Sequence, residues 1–353
     1  MNERIKNVLT AAKDFDAVII TETVARRYLV DFETGDAGTL VITADDAYFI
    51  IDGRYIEAAE AAVKSAKVVL QDKLYEQVAD LLGSAKNIAV QSELTCRKLE
   101  QMREKLPNAV ITPCEAIDKE LELMRSVKTK AEVDNIIAAQ RISEIAFDHI
   151  LGFIREGITD LEIAAELEYI MRKNGAEGLS FETIAVSGEM SSMPHGVPTA
   201  RKVRPGDFIT MDYGALINGC HSDMTRTVAL GYATDKMKEV YNTVLAAQNA
   251  SLAVLKAGID CKDGDKAARD VIAAAGYGDC FTHSTGHSVG YEIHEWPNIS
   301  SLSQDKLSEG NVVTVEPGIY LPGEFGVRIE DMALITDSGC VNLTNAKKEL
   351  IIL

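Results

Sequence analysis

Apolar residues in the first third of the chain gather into runs of four or five, AVII at 17–20, TLVIT at 39–43 and AYFII at 47–51, each bounded by polar or glycine-bearing segments. Their length and β-branched content predict strands, whereas the three- and four-residue spacing through RYIEAAEAAVKSA predicts a helix. The alternation continues through YEQVADLLGSA, NIAVQ, TCRKLEQMREKL and AVITP and stops near Pro113. This pattern sets an α/β domain at residues 1–115, then a linker at 116–129 and a second domain at 130–353. From Lys130 a long amphipathic helix runs through Val133, Ile136, Ile137, Ile142, Ile145, Ile150 and Phe153 and stops at Gly157. The next helix opens on TDLE at 159–162, where the Thr159 hydroxyl and Glu162 carboxylate form a capping box. A strand (FETIAVS), a polar loop containing His195 and two apolar runs split by the turn Asn218-Gly219 follow.

After Thr234 the order of helix, helix, strand and hairpin repeats, with the later strand expected near CFTHS. GDFITMDYG at 206–214 returns as GNVVTVEPG at 310–318, and Gly219 and Asp223 return as Gly326 and Glu330. The second domain is therefore read as an internal duplication, two equal units about a pseudo-twofold axis. Each half contributes two acids, one from each strand of its hairpin. With Asn218-Gly219 as a two-residue turn, Asp223 faces Gly214, and Gly214 shares its face with Asp212. Both aspartates then point the same way, with Cβ atoms no more than about 7 Å apart, and Gly214 leaves space beside them.

Four such carboxylates, Asp212, Asp223, Glu316 and Glu330, cannot all stay ionised in an apolar setting without countercharge. Arg226 and Arg328 are too few to supply it. A pair of divalent ions does so, and carboxylates with a neutral imidazole suit manganese, cobalt, iron or zinc. Of six histidines, four (His195, His283, His287 and His294) lie close to the duplicated hairpins, and three of these fall within THSTGHSVGYEIHE, a segment able to give a fifth ligand.

Length and charge narrow the setting. A chain of 353 residues exceeds the usual single core. A net charge of −18, with no basic stripe, disfavours nucleic acid. Six cysteines show no paired metal or redox spacing, the start MNERIKNVLTAAKDF lacks the apolar centre of a signal peptide, and no run is apolar enough to span a membrane. A cytoplasmic protein with reduced thiols is expected.

The segments SGEMSSMPHGVP, DYGALINGCHSDMTRT, STGHSVGYEIHE, VEPGIY and GVRIEDMALIT resemble, in order, the five signature regions of the pita-bread metallopeptidases, the family of methionine aminopeptidase, aminopeptidase P and prolidase. The resemblance covers nearly the whole chain, and DGRY at 52–55 is similar to the proline-specific branch. It implies an α/β N-terminal domain before an α+β pita-bread catalytic domain. It also implies a site of two ions, manganese first and cobalt, zinc or iron as alternatives. By the resemblance Asp223 and Glu330 bridge both ions, Asp212 completes one, and His287 with Glu316 the other. Such ions, about 4 Å apart, share a hydroxide as nucleophile while Glu316 shuttles the proton. His195 and His294 match the substrate-side histidines, and His283 and Arg328 match residues of the proline pocket, where Arg328 either meets a substrate carboxylate or orders the site.

The chain departs from the family pattern at Ser288, where glycine is usual, and at Met190, where a polar residue is usual. The implied reaction is hydrolysis of the Xaa-Pro bond, by an aminopeptidase on longer peptides or a dipeptidase on dipeptides. A catalytically inactive binding module and another small amide hydrolase of the same fold are the alternatives, and retention of all five ligands weighs against both. By analogy with the family a homodimer is expected.

Overall fold

The computed structural model describes residues 1–353, which divide into two units, Met1–Met124 and Arg125–Leu353. In the first, the three apolar runs form strands at Ala17–Ile20, Thr39–Thr43 and Ala47–Ile51, as the pattern predicts. Asn87–Val90 and Val110–Pro113 extend the same sheet on one side. Its other edge, Lys67–Leu70, falls where the helical pattern was read to end, and the half-exposed KVVL run pairs in parallel with Ala47–Ile51. Ile19, Val41, Ile50, Ile88 and Val90 fill the interior against helices Leu74–Leu82 and Cys96–Lys105. Much of the expected linker at 116–129 is a helix, Glu115–Ser126. Ile117 and Leu121, four residues apart, are buried on one side of it.

The second unit is built from the duplicated parts. Helices Lys130–Phe153 and Asp160–Lys173 precede a three-stranded antiparallel sheet of Ile184–Ser187, Phe208–Tyr213 and Met224–Ala229. Helices Asp235–Val254 and Cys261–Ala274 precede the matching strands Gly286–Ser288, Val312–Val315 and Asp331–Ile335, which Glu295–Ile299 and Cys340–Asn342 widen to five. The capping box at Thr159 forms, with Thr159 and Glu162 exchanging hydrogen bonds, and a second forms at Thr129 and Glu132. No helix is long and apolar enough to cross a membrane.

The later strand lies at Gly286–Ser288 rather than in CFTHS. A 3-10 turn at Gly278–Cys280 precedes that stretch, and Arg269 donates to the carbonyls of Phe281 and His283 while lying over the Phe281 ring. A side chain thus satisfies the carbonyls that a ladder would otherwise take. The turn Asn218-Gly219 has positive φ at both residues, 47° and 77°, the type I′ geometry its sequence favours.

Each hairpin splits where its acids sit. Phe208–Tyr213 pairs with Met224–Ala229, the pairing lapses, and Ala215–Ile217 resumes with Cys220–His221 in a separate sheet. In the second half Val312–Val315 pairs with Asp331–Ile335, and Gly318–Leu321 resumes with Phe325–Arg328. At Gly214 the expected space is absent, because a Cβ there would come 1.9 Å from the carbonyl oxygen of Ser222. Glycine is needed for backbone approach, not to clear room beside the aspartates. Gly286 sits equally close to the Thr314 carbonyl.

Candidate active site

All nine side chains singled out above meet at one cavity of about 600 Å³, beside the lapses in the two ladders: Asp212, Asp223, Glu316, Glu330, His195, His283, His287, His294 and Arg328 all line it. Thr225 stands opposite Asp212, so Asp223 is diagonal to it, as the sequence register predicts. In the second hairpin the pairs Val315–Asp331 and Gly318–Arg328 set Glu316 directly opposite Glu330.

Ligand atoms of Asp223, His287 and Glu330 lie within 4.8 Å of one another. Nε2 of His287 is 3.6 Å from Asp223 Oδ2 and 3.5 Å from Glu316 Oε1. With its proton on Nδ1, 3.1 Å from the Ser288 carbonyl oxygen, His287 turns the Nε2 lone pair toward these carboxylates. Burial, reinforced by the neighbouring His294 ring, pushes the His287 pKa down to about 4, so the imidazole is neutral at pH 7. Burial also pushes Glu316 up to about 8. It raises Asp223 and Glu330 well above the carboxylate range, with the surrounding acids adding to the effect. One oxygen of Asp212, Oδ1, is buried without a hydrogen-bond partner.

A lone pair facing carboxylates, acids that resist ionising and an orphaned anionic oxygen share one remedy, a cation among them. Four carboxylates and one neutral imidazole form a donor set that fits divalent transition ions.

Arg328, 2% exposed, is committed to the protein. It donates to Asp212 Oδ2 at 2.6 Å, to the Tyr320 hydroxyl at 2.9 Å, to the Pro194 carbonyl at 3.1 Å and to Thr225 Oγ1 at 3.0 Å. Arg226 faces away from the acids and binds Asp331 at 2.7 Å together with the carbonyls of Thr225, Glu330, Ala346 and Lys347. Both nitrogens of His283 are engaged, Nδ1 at the Ser284 carbonyl and Nε2 at the Tyr320 hydroxyl, each at 2.8 Å. Burial, then the Arg328 charge, push His283 down to about 4.

The loops bearing His195 and His294 are anchored differently. Behind the His195 loop, buried Asp160 accepts from Ser187 and Thr199, and Arg201 bridges Ser187 and Asp207. Behind His294, the buried pair Lys128–Glu295 closes at 2.9 Å, and Glu295 also accepts from the backbone of Tyr291 and Glu292.

Sequence reasoning missed Tyr320, Thr225 and Thr314. Thr225 Oγ1 donates to Glu330 at 2.7 Å and Thr314 Oγ1 to Glu316 at 3.3 Å. A two-residue period was the available signal, since each threonine is two positions from an acid on the same strand path. Ser288 fits its buried place by donating to the Pro297 carbonyl at 3.0 Å. His221, beside Asp223 in the sequence, bonds Ser180 at 2.9 Å and does not line the cavity.

The sequence profile of metallopeptidase family M24 matches residues 134–337, and that of the creatinase/prolidase N-terminal domain matches residues 3–127. An Xaa-Pro dipeptidase of Pyrococcus furiosus is 36% identical over 99% of this chain and 100% of its own. Among solved structures, an Xaa-Pro dipeptidase from Bacillus anthracis superposes with a TM-score of 0.93 at 39% identity, covering 99% of both chains. An X-Pro aminopeptidase from Thermotoga maritima gives 0.91 at 35% identity, covering 98% of this chain and all of that one. With two sibling hairpins delivering their acids to one cavity and both domain profiles matched, the chain belongs to metallopeptidase family M24, with a creatinase/prolidase-type domain ahead of its catalytic unit.

Proposed function

We propose that this protein is a metallo-exopeptidase that hydrolyses the Xaa-Pro bond at the N-terminus of peptides or in dipeptides. The observation that carries the reading is the meeting of Asp212, Asp223, His287, Glu316 and Glu330 at one cavity. The names of the full-length relatives, two dipeptidases and one aminopeptidase acting on Xaa-Pro, support the substrate.

These five side chains would hold two divalent ions, manganese first among manganese, cobalt, zinc and iron, which supply Lewis acidity and activate water near neutral pH. Glu316 takes the proton from the attacking water and delivers it to the departing proline nitrogen. Thr314 steadies its carboxyl. His294 is held below its usual pKa by burial and then by His195, so it donates as a neutral imidazole. His195 and His294 are placed to steady the scissile amide and the oxygen of the tetrahedral intermediate.

Proline presents a tertiary imide without an N–H, so the pocket must recognise it by shape. Phe181, Ile184, Pro194 and Ile293 give the cavity apolar walls for the pyrrolidine ring. Arg328 aligns Asp212 through their 2.6 Å contact. The test is proline release from Ala-Pro, and N-terminal alanine release from Ala-Pro-Ala, by chelated protein reloaded with each ion in turn. Cleavage that follows the metal supports the reading, and failure with every ion on both substrates overturns it.

A further inference from the structure

What lies beyond the proline separates two classes of substrate. A dipeptide ends there in an α-carboxylate, whereas a longer peptide continues in a neutral amide. An anion drawn into a protein cavity costs several kcal/mol unless a positive group meets it. A site built for dipeptides therefore needs a spare cation.

This cavity has no arginine or lysine to spare. Arg328 is its one arginine, no lysine lines it, and the guanidinium is buried and committed to Asp212, Tyr320, Pro194 and Thr225. His283 has both nitrogens occupied. Apart from the acids and His287 of the cluster, and from His195 and His294, which the proposed reaction assigns to the scissile amide, the other polar lining groups, Ser284, Asn298 and Ser300, are uncharged. Glu182, exposed on the same lining, adds a carboxylate.

We infer that the site acts on peptides that continue past the proline, as an aminopeptidase, and discriminates against free Xaa-Pro dipeptides. The inference rests on the Xaa-Pro hydrolysis proposed above. Nothing in the cavity repels the amide of a following residue, and Asn298 and Ser300 offer it hydrogen-bonding groups.

The test compares kcat/KM for Ala-Pro, Ala-Pro-amide and Ala-Pro-Ala with the metal-loaded full chain. The amide differs from the dipeptide in terminal charge alone. Ala-Pro-amide and Ala-Pro-Ala are each expected to exceed Ala-Pro by at least about tenfold. A dipeptide cleaved at a rate within that margin of its amide overturns the inference while leaving Xaa-Pro hydrolysis intact. Cleavage of none of the three overturns the Xaa-Pro reading and this one with it. In Glu182→Lys the ratio of amide to dipeptide is expected to shrink, and an unchanged ratio overturns the part assigned to Glu182.

Discussion

The two hairpins of the catalytic unit repeat a phrase and then resolve its charges differently. In the first, aspartates stand diagonally across the ladder, with Thr225 facing Asp212. In the second, glutamates stand face to face and draw on threonines, Glu316 on Thr314 and Glu330 on Thr225 of the other half. The one buried cation that faces the cluster, Arg328, belongs to the second hairpin and pairs with Asp212 of the first. Its counterpart in size and burial, Arg226, serves Asp331 and the backbone instead. Duplication therefore supplies the scaffold twice, while charge balance is settled once, across the two copies.

The sharpest challenge to this picture is at the equivalent acids. Asp223→Asn and Glu330→Gln are each expected to lower kcat/KM by at least about 10³-fold while the fold persists by circular dichroism. A large loss in one and a small loss in the other would break the equivalence of the halves. In metal-free protein both substitutions should raise the thermal midpoint at pH 7, because each removes an acid whose ionisation burial opposes.

Next in size is the bond between the halves. Arg328→Met leaves Asp212 buried without its partner and is expected to cost about 3–5 kcal/mol in chemical denaturation, much of it recovered by adding Asp212→Asn. Arg226→Met should cost less through charge, because Asp331 keeps Lys348 at 2.9 Å. Equal charge effects, read by adding Asp331→Asn, would dissolve the contrast between the two arginines.

A smaller effect is expected from pH on metal-free protein. Glu316 is raised from 4.5 to about 8 on folding, so the folded state keeps a proton that the unfolded chain releases. Stability should therefore decline as pH rises from 4.5 toward about 8. His283 and His287, lowered from 6.5 to about 4, act in the opposite sense, and their contribution is lost as pH falls below 6.5. Denaturation midpoints between pH 6.5 and 8 isolate the carboxylates, and Glu316→Gln should flatten the slope there. A flat profile in the unsubstituted chain would remove Glu316 from this part.

The smallest difference lies in the helices. Those of the first half carry capping boxes, whereas Asp260, at the start of the last helix, makes no side-chain cap bond. Thr159→Ala is expected to cost about 1 kcal/mol and Asp260→Ala less, by thermal unfolding.

What the sequence announced and what it hid follow the range of the interactions. Turn chemistry at Asn218-Gly219 and a two-residue period were enough to set Asp223 diagonally across the ladder from Asp212, because both act within one hairpin. TDLE named its own helix start for the same reason. The strand at Gly286–Ser288 was displaced by Arg269, whose reach to the Phe281 and His283 carbonyls no apolar pattern encodes. The helix Glu115–Ser126 is encoded in the four-residue spacing of Ile117 and Leu121, but it follows Pro113, where the strand–helix alternation of the first domain stops. Arg328 left two roles open in the sequence, since its link to Asp212 spans 116 positions and is made by folding alone.

Arg226 adds a consequence in the order of synthesis. A chain growing from its N-terminus completes the Asp212–Asp223 hairpin long before the acids of its sibling exist, and Thr225 must wait for Glu330, 105 positions later. The carbonyls of Ala346 and Lys347 that Arg226 gathers arrive later still. Closing contacts over such distances is slow, so the nascent first half must hold two like charges and an unmatched guanidinium until the last strands are delivered. The segment made after every ligand is the one that completes the frame around them.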